Sequence, residues 1–183
     1  QQKVRRPVEV LHLKRALILT EKYLLLRPLL DGKLRGGRQR TVGRHGKERL
    51  RDGGSEYGAT TGRPRRCGWF DGVVARYSRR INGLTGLALT KLDVLDGFPE
   101  IKICTAYKYK GKTIKEMPYG LNEWREAKPV YRTVKGWTKP TAGARTLSAL
   151  PPQARDYVKI LEDLVECPFK IVSTGAGREE TIE

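Results

Sequence analysis

The chain has 183 residues, which is long enough for one domain with a sizeable core. Its composition, 38% hydrophobic and 31% charged, is that of a globular protein on the polar side. No apolar run reaches the roughly 18 residues of a membrane-spanning helix, so we expect no transmembrane segment, and no secretory signal is recognised.

The net charge of +17 is distributed unevenly. Residues 1–47 contain 13 Lys and Arg against three acidic residues, a net +10, and the other 136 residues contain 24 against 17, a net +7. Because the first segment is also rich in Gly and has no hydrophobic period, the sequence predicts a basic, poorly organised leader at 1–47 and an ordered domain at 48–183. Because most of the excess charge belongs to the poorly organised leader, we do not expect a nucleic-acid partner.

The predicted elements of the domain begin after glycines at 53, 54 and 58. Residues 71–82 have apolar side chains at helical spacing and end at Asn82-Gly83, a plausible helix end. Residues 86–91 and 101–109 are predicted strands, and a turn at 110–111 leads into a Lys-rich edge strand at 112–115.

The C-terminal part alternates loop, helix and strand. Residues 116–150 are predicted to be mostly loop, and a helix begins near Pro151-Pro152, where proline suits the first turn. Residues 169–172 form a predicted strand that opens into a small-residue loop at 173–177. A helix between strands indicates an α/β fold with a mixed or mainly parallel sheet flanked by helices.

A loop of hydroxyl, glycine and arginine residues is the first candidate site. Its guanidinium groups and threonine hydroxyls can bind carboxylates and phosphates, and Pro64 makes the backbone between Arg63 and Arg65 extended. A basic surface turn is the alternative interpretation. The candidate residues are Ala59, Thr60, Thr61, Gly62, Arg63, Pro64 and Arg65.

A second candidate site follows the strand at 86–91. Residues two apart in a strand share a face, so the side chains of Lys91 and Asp93 would point to the same side. The aliphatic stem of Lys91 would lie over a base, and the carboxylate of Asp93 would accept hydrogen bonds from adjacent N–H donors such as those of guanine. A weak surface ion pair is the alternative. The loop of Ser173, Thr174 and Gly175 follows the last strand, and ligands collect at such strand ends in α/β sheets.

Other kinds of site are not indicated. The three cysteines lie far apart, so we expect buried thiols rather than a disulfide framework or zinc site. His12 and His45 both lie in the leader, and no glycine-rich phosphate-binding motif occurs. We therefore predict no catalytic residue and no metal ligand in this chain.

Several motifs together resemble the C-terminal third of adenylosuccinate synthetase. In chain order they are LRDGGSEYGATTGRPRRCGWFD, LTKLDVLDG, KPVYRTVKGW, LPPQARDYVKILEDL and KIVSTGAGREETI, spread over residues 50–183. The resemblance implies a GTP-dependent ligase of purine (AMP) biosynthesis, in which GTP phosphorylates the 6-oxygen of IMP and the amine of L-aspartate displaces phosphate. It also implies Mg²⁺ as cofactor, with ligands outside this chain, a homodimer and a cytoplasmic location.

The resemblance also implies residue roles. The segment 59–65 would be the loop that closes over L-aspartate, with Arg63 also contacting the IMP ribose and Arg65 reaching the GTP phosphates. The segments 91–93 (Lys91, Leu92, Asp93) and 173–175 would bind guanine.

Two departures from the family accompany the resemblance. The family's last loop usually continues Gly-Pro-Asp-Arg, whereas this chain has Gly175-Ala176-Gly177-Arg178, which is expected to loosen the loop. The family's phosphate loop and catalytic histidine are not recognised, so we expect a fragment that is inactive alone. The alternative function is a non-catalytic, basic nucleic-acid-binding module that uses the leader.

Overall fold

The structure, a computed structural model, describes residues 44–54, 57, 62, 63, 67–118 and 120–183. The helices within these residues are α1 Arg44–Gly53, α2 Gly72–Asn82, α3 Leu121–Glu126 and α4 Pro152–Val165. The strands are β1 Phe70–Asp71, β2 Leu87–Leu89, β3 Glu100–Tyr109, β4 Lys112–Ile114, β5 Lys128–Lys135, β6 Phe169–Ser173 and β7 Thr181–Ile182. Short 3-10 helices occupy Leu92–Leu95 and Leu147–Ala149.

The strands form two mixed sheets. In the first, β3 pairs in parallel with β1 and antiparallel with β4 and β5. In the second, β6 lies between β2, which is parallel to it, and β7, which is antiparallel. The prediction of an α/β fold with a mixed sheet and flanking helices is thus confirmed, with two sheets in place of one.

Local signals define α2 at both ends. The Asp71 carboxylate accepts hydrogen bonds from the N–H groups of Val73 and Val74, both at 3.1 Å, and so caps the helix N-terminus. Gly83 ends the helix in the left-handed conformation at φ 58°, which costs glycine little. The predicted apolar stripe is only partly buried, because Ile81 is 62% exposed.

Helices α2 and α4 pack against each other. The side chain of Leu164 lies against Gly72, where a Cβ atom would collide with it. On α4, Leu161 and Val165 are fully buried. All three cysteines are buried, as the sequence predicted, and Trp69 and Trp137 are buried as well.

Two predicted segments differ from the structure. β2 ends at Leu89 rather than residue 91. Residues 116–150 are not mostly loop, because they contain α3 and the eight-residue strand β5, which pairs along β3 from Glu100 to Lys108. The signal for β5 was obscured by Pro129 and by exposed basic residues.

The leader lies almost entirely outside the described residues. α1 begins at Arg44, so the domain boundary predicted at residue 47 falls inside this helix. In the part of the chain that the structure describes, no helix has the length and hydropathy needed to cross a membrane.

Candidate functional site

The candidate site lies at the carboxyl ends of two parallel strands. Because β2 and β6 are parallel neighbours, the segment 90–93, which follows β2, and the segment 173–177, which begins at the last residue of β6, lie at the same edge of the sheet. The backbone N–H of Lys91 donates a hydrogen bond of 3.1 Å to Oγ of Ser173. Two of the predicted base-binding segments, 82 residues apart in sequence, are therefore in direct contact.

The backbone after β2 is not extended. Lys91 has φ 60° and ψ 43°, a left-handed conformation, and Asp93 belongs to the 3-10 helix that follows. The premise that both side chains project from one face of a strand was therefore wrong. Nζ of Lys91 instead donates a 2.8 Å hydrogen bond to the carbonyl of Gly54, just beyond the C-terminus of α1, where helix carbonyls favour a cation.

Asp93 is the most unusual side chain of the site. Within the described part of the chain, its buried Oδ1 has no hydrogen-bond partner, and neither has the buried Oγ1 of Thr90. Burial raises the pKa of the Asp93 carboxyl, and the nearby charges of Asp96 and Glu180 raise it further, against the opposing effects of its own backbone N–H and Lys91. A buried acceptor without a donor costs stability, so such an atom indicates a place for a ligand donor.

Two neighbours of Asp93 in this segment have buried side chains. The Leu92 side chain is fully buried in the core, so it anchors the segment and leaves only its backbone for a ligand. Thr90 was not singled out from the sequence, and its position directly before Lys91 in the same motif was the available signal.

Asp96 stabilises the other side of the same segment. Its carboxylate accepts hydrogen bonds from Nε1 of Trp137 at 2.6 Å and from the backbone N–H of Thr141 at 2.8 Å. Oγ1 of Thr141 lies 3.0 and 3.2 Å from its two oxygens. These contacts attach the segment 137–141 to the 3-10 helix, a role that sequence reasoning missed.

The loop after β6 contains the other predicted contacts. Oγ of Ser173 donates to the carbonyl of Gly175 at 3.2 Å, and Thr174 is fully buried. The backbone N–H of Thr174 donates to the carbonyl of Glu180 at 2.8 Å, which closes the loop. The loop is thus held as a compact turn beside Lys91.

The structure describes only two positions of the arginine loop, which is the first candidate site at residues 59–65. Gly62 has φ 60°, a left-handed conformation in which a side chain would be strained, and Arg63 is exposed. Ala59, Thr60, Thr61, Pro64 and Arg65 lie outside the described residues. The roles predicted for this loop therefore stay predictions.

The described residues do not form a metal centre. Among them, no group of three or more His, Cys, Asp or Glu side chains converges to hold a metal ion.

Comparisons with known proteins agree on one family. The family model described as adenylosuccinate synthetase matches residues 35–182 and so begins inside the predicted leader. Adenylosuccinate synthetase from Geobacter sulfurreducens is 53% identical over 135 residues, covering 74% of this chain and 31% of the relative. The enzyme from Gloeobacter violaceus is 54% identical over 141 residues, covering 77% and 31%.

A solved structure gives the same result at the level of the fold. Fully ligated adenylosuccinate synthetase from Plasmodium falciparum superposes with a TM-score of 0.72 at 34% identity, covering 77% of this chain and 34% of that one. The chain thus spans about a third of the length of the relatives that it matches.

Proposed function

The chain belongs to the adenylosuccinate synthetase family, and from this membership we propose that it carries the guanine-binding and aspartate-binding parts of a GTP-dependent ligase. The reaction joins IMP and L-aspartate to give adenylosuccinate in AMP biosynthesis.

The proposal is carried by Oδ1 of Asp93, which is buried and has no hydrogen-bond partner among the residues that the structure describes. Guanine offers two adjacent donors, N1–H and the exocyclic amine, which a carboxylate can accept together. Adenine has an acceptor at N1. Two acceptors, N1 and the carboxylate oxygen, would then face each other with no hydrogen between them. A half-buried carboxylate is therefore expected to select guanine, because a base without these donors leaves the acceptor unsatisfied.

The neighbouring groups support the same base position. Ser173 contacts the backbone of Lys91 directly, so both segments border one site. The backbone of the small-residue loop after Thr174 lets N–H groups approach the edge of a base, and the stem of Lys91 lies between this loop and Gly54.

The arginine loop supplies the proposed aspartate and phosphate contacts. Thr60 and Thr61 would hold the carboxylates of L-aspartate, and Arg63 would contact both aspartate and the IMP ribose. Arg65 would reach the GTP phosphates and stabilise charge as the phosphoryl group separates. Mg²⁺, a cytoplasmic location and a homodimer are further proposals that rest on the family resemblance.

Base selectivity tests the proposal. The 183-residue chain is titrated with GTP and with inosine 5′-triphosphate, which lacks the exocyclic amine, by calorimetry. We expect tighter binding of GTP, and we expect Asp93→Asn to weaken GTP binding about 10- to 100-fold, the range for a hydrogen bond to a charged group. Asp156→Asn, an exposed position on α4, is the control and should leave binding unchanged. Equal affinities for the two nucleotides would contradict guanine recognition.

We also propose that the chain alone does not catalyse the ligation, because no phosphate-binding glycine motif occurs in its sequence. Incubating the purified chain with GTP, IMP, L-aspartate and Mg²⁺ should give no adenylosuccinate. Formation of adenylosuccinate that depends on all three substrates would contradict this part of the proposal.

A further inference from the structure

Glu180 closes the loop that follows β6. Its carboxylate accepts a 2.7 Å hydrogen bond from the backbone N–H of Gly177, and its own backbone N–H donates to the carbonyl of Gly177 at 3.0 Å. Its carbonyl accepts from the backbone N–H and the hydroxyl of the fully buried Thr174, at 2.8 and 3.3 Å. One residue therefore makes contacts at both ends of the turn.

The carboxylate of Glu180 lies inside this turn. A Cβ atom on Gly175 would collide with it, and a Cβ atom on Gly177 would lie 3.0 Å from its Oε2. Ala176 lacks the ring by which a proline would restrict the backbone of the turn. The side chain of Glu180 restrains the turn instead.

The turn is connected to Asp93 in two ways. Ser173 donates to the carbonyl of Gly175 inside the turn and accepts from the N–H of Lys91, two residues before Asp93. The charge of Glu180 also acts on Asp93 directly, since after burial and Asp96 it is the next influence that raises the pKa of that carboxyl.

We propose that Glu180 is a positioning residue for base selection: its carboxylate holds the 173–177 turn so that Ser173 fixes the Lys91 backbone and Asp93 faces the base. This inference rests on the proposed guanine site. Glu180 makes no proposed contact with the nucleotide, so its effect on the base is exerted through the turn and through Asp93.

The test compares Glu180→Ala and Glu180→Gln in the 183-residue chain. The amide oxygen of Gln can still accept the Gly177 N–H, whereas Ala removes this bond. We expect Ala to lower the preference for GTP over inosine 5′-triphosphate about tenfold and Gln to lower it less than about threefold. Hydrogen exchange of the Lys91 N–H, followed by NMR in the nucleotide-free chain, should become faster in the Ala variant only.

Glu183→Ala, an exposed position in the same terminal segment, is the matched control for both measurements. A Glu180→Ala chain with a lower melting temperature but unchanged base preference and Lys91 exchange would overturn the positioning role. If Asp93→Asn abolishes the GTP preference and Glu180→Ala does not, the inference fails and the guanine site stands. If the unsubstituted chain has no GTP preference, both are overturned.

Discussion

Two aspartates three residues apart in the motif LTKLDVLDG have different environments. The carboxylate of Asp96 accepts hydrogen bonds from Trp137 and Thr141. Oδ1 of Asp93 is buried without a partner in the described part of the chain. The pattern of the motif cannot distinguish these environments, because the donors to Asp96 come from a segment more than 40 residues away.

Replacing Asp96 by Ala should destabilise the fold. The change leaves the donors of the buried Trp137 and Thr141 without an acceptor, and we expect a loss of about 2–4 kcal/mol in the free energy of unfolding. Urea unfolding followed by tryptophan fluorescence measures this loss. Asp163→Ala, an exposed position on α4, should change the unfolding free energy by less than about 0.5 kcal/mol. Equal effects of the two substitutions would show that the Asp96 contacts do not stabilise the fold.

The pKa of Asp93 predicts a pH-dependent cost of folding. Burial raises this pKa in the folded state above the ordinary value of 3.8, so the folded chain binds the proton more tightly than the unfolded chain. The stability that this tighter proton binding contributes is fully present below the unfolded-state pKa of Asp93 and is lost as the pH rises through its folded-state pKa.

Asp93→Asn removes this titration. The melting temperature of the variant relative to the parent should therefore be higher at about pH 7 than at about pH 4. Asp156→Asn, at an exposed site, provides the control for the loss of one charge. A relative melting temperature that stays constant, or that falls with rising pH, would contradict the proposed burial of the Asp93 carboxyl.

At the scale of the elements, the sequence predicted those that local residues determine. α2 begins at the Asp71 cap and ends at Gly83, and α4 has Pro152 at its first position. Each signal lies within a few residues of the element that it defines. The start and end of α2 and the start of α4 were therefore predicted to within about one residue.

Elements that depend on distant partners were predicted less well. β5 is stabilised by pairing with β3, and its own residues are mostly half-buried or exposed, so its pattern is weak. β2 ends early because Lys91 adopts a left-handed conformation and bonds to Ser173, which lies 82 residues further along the chain. The contact that brings the site together could not be read from local periodicity.

Gly136, directly after β5, provides a test of how closely this segment approaches Phe98. A Cβ atom on Gly136 would collide with the carbonyl of Phe98, a backbone atom that cannot rotate away. We expect Gly136→Ala to lower the free energy of unfolding by at least about 2 kcal/mol. For Gly120, the nearest atom to an added Cβ is 3.9 Å away, and Gly120→Ala should have a small effect. Similar unfolding curves for the two variants would contradict the close approach of these segments.

At the scale of the whole molecule, most of the net charge and the candidate site belong to different parts of the sequence. Residues 1–47 hold net +10 of the total +17, whereas Asp93 and Ser173 belong to the part that resembles adenylosuccinate synthetase. Deleting residues 1–45 should therefore lower the salt concentration that elutes the chain from a heparin column, because fewer cations contact the polyanion. The circular dichroism spectrum of the deleted chain checks that the domain is intact. Undiminished retention would assign the anion binding to the domain instead.

The central claim is that the carboxylate of Asp93 accepts the donors of a guanine base, and a crystal structure of the 183-residue chain with GTP tests it most directly. The predicted result places N1 of guanine within about 2.7–3.2 Å of a carboxylate oxygen of Asp93, with the base beside Ser173. A structure in which the base lies elsewhere, with Oδ1 of Asp93 still unpartnered, would contradict the account.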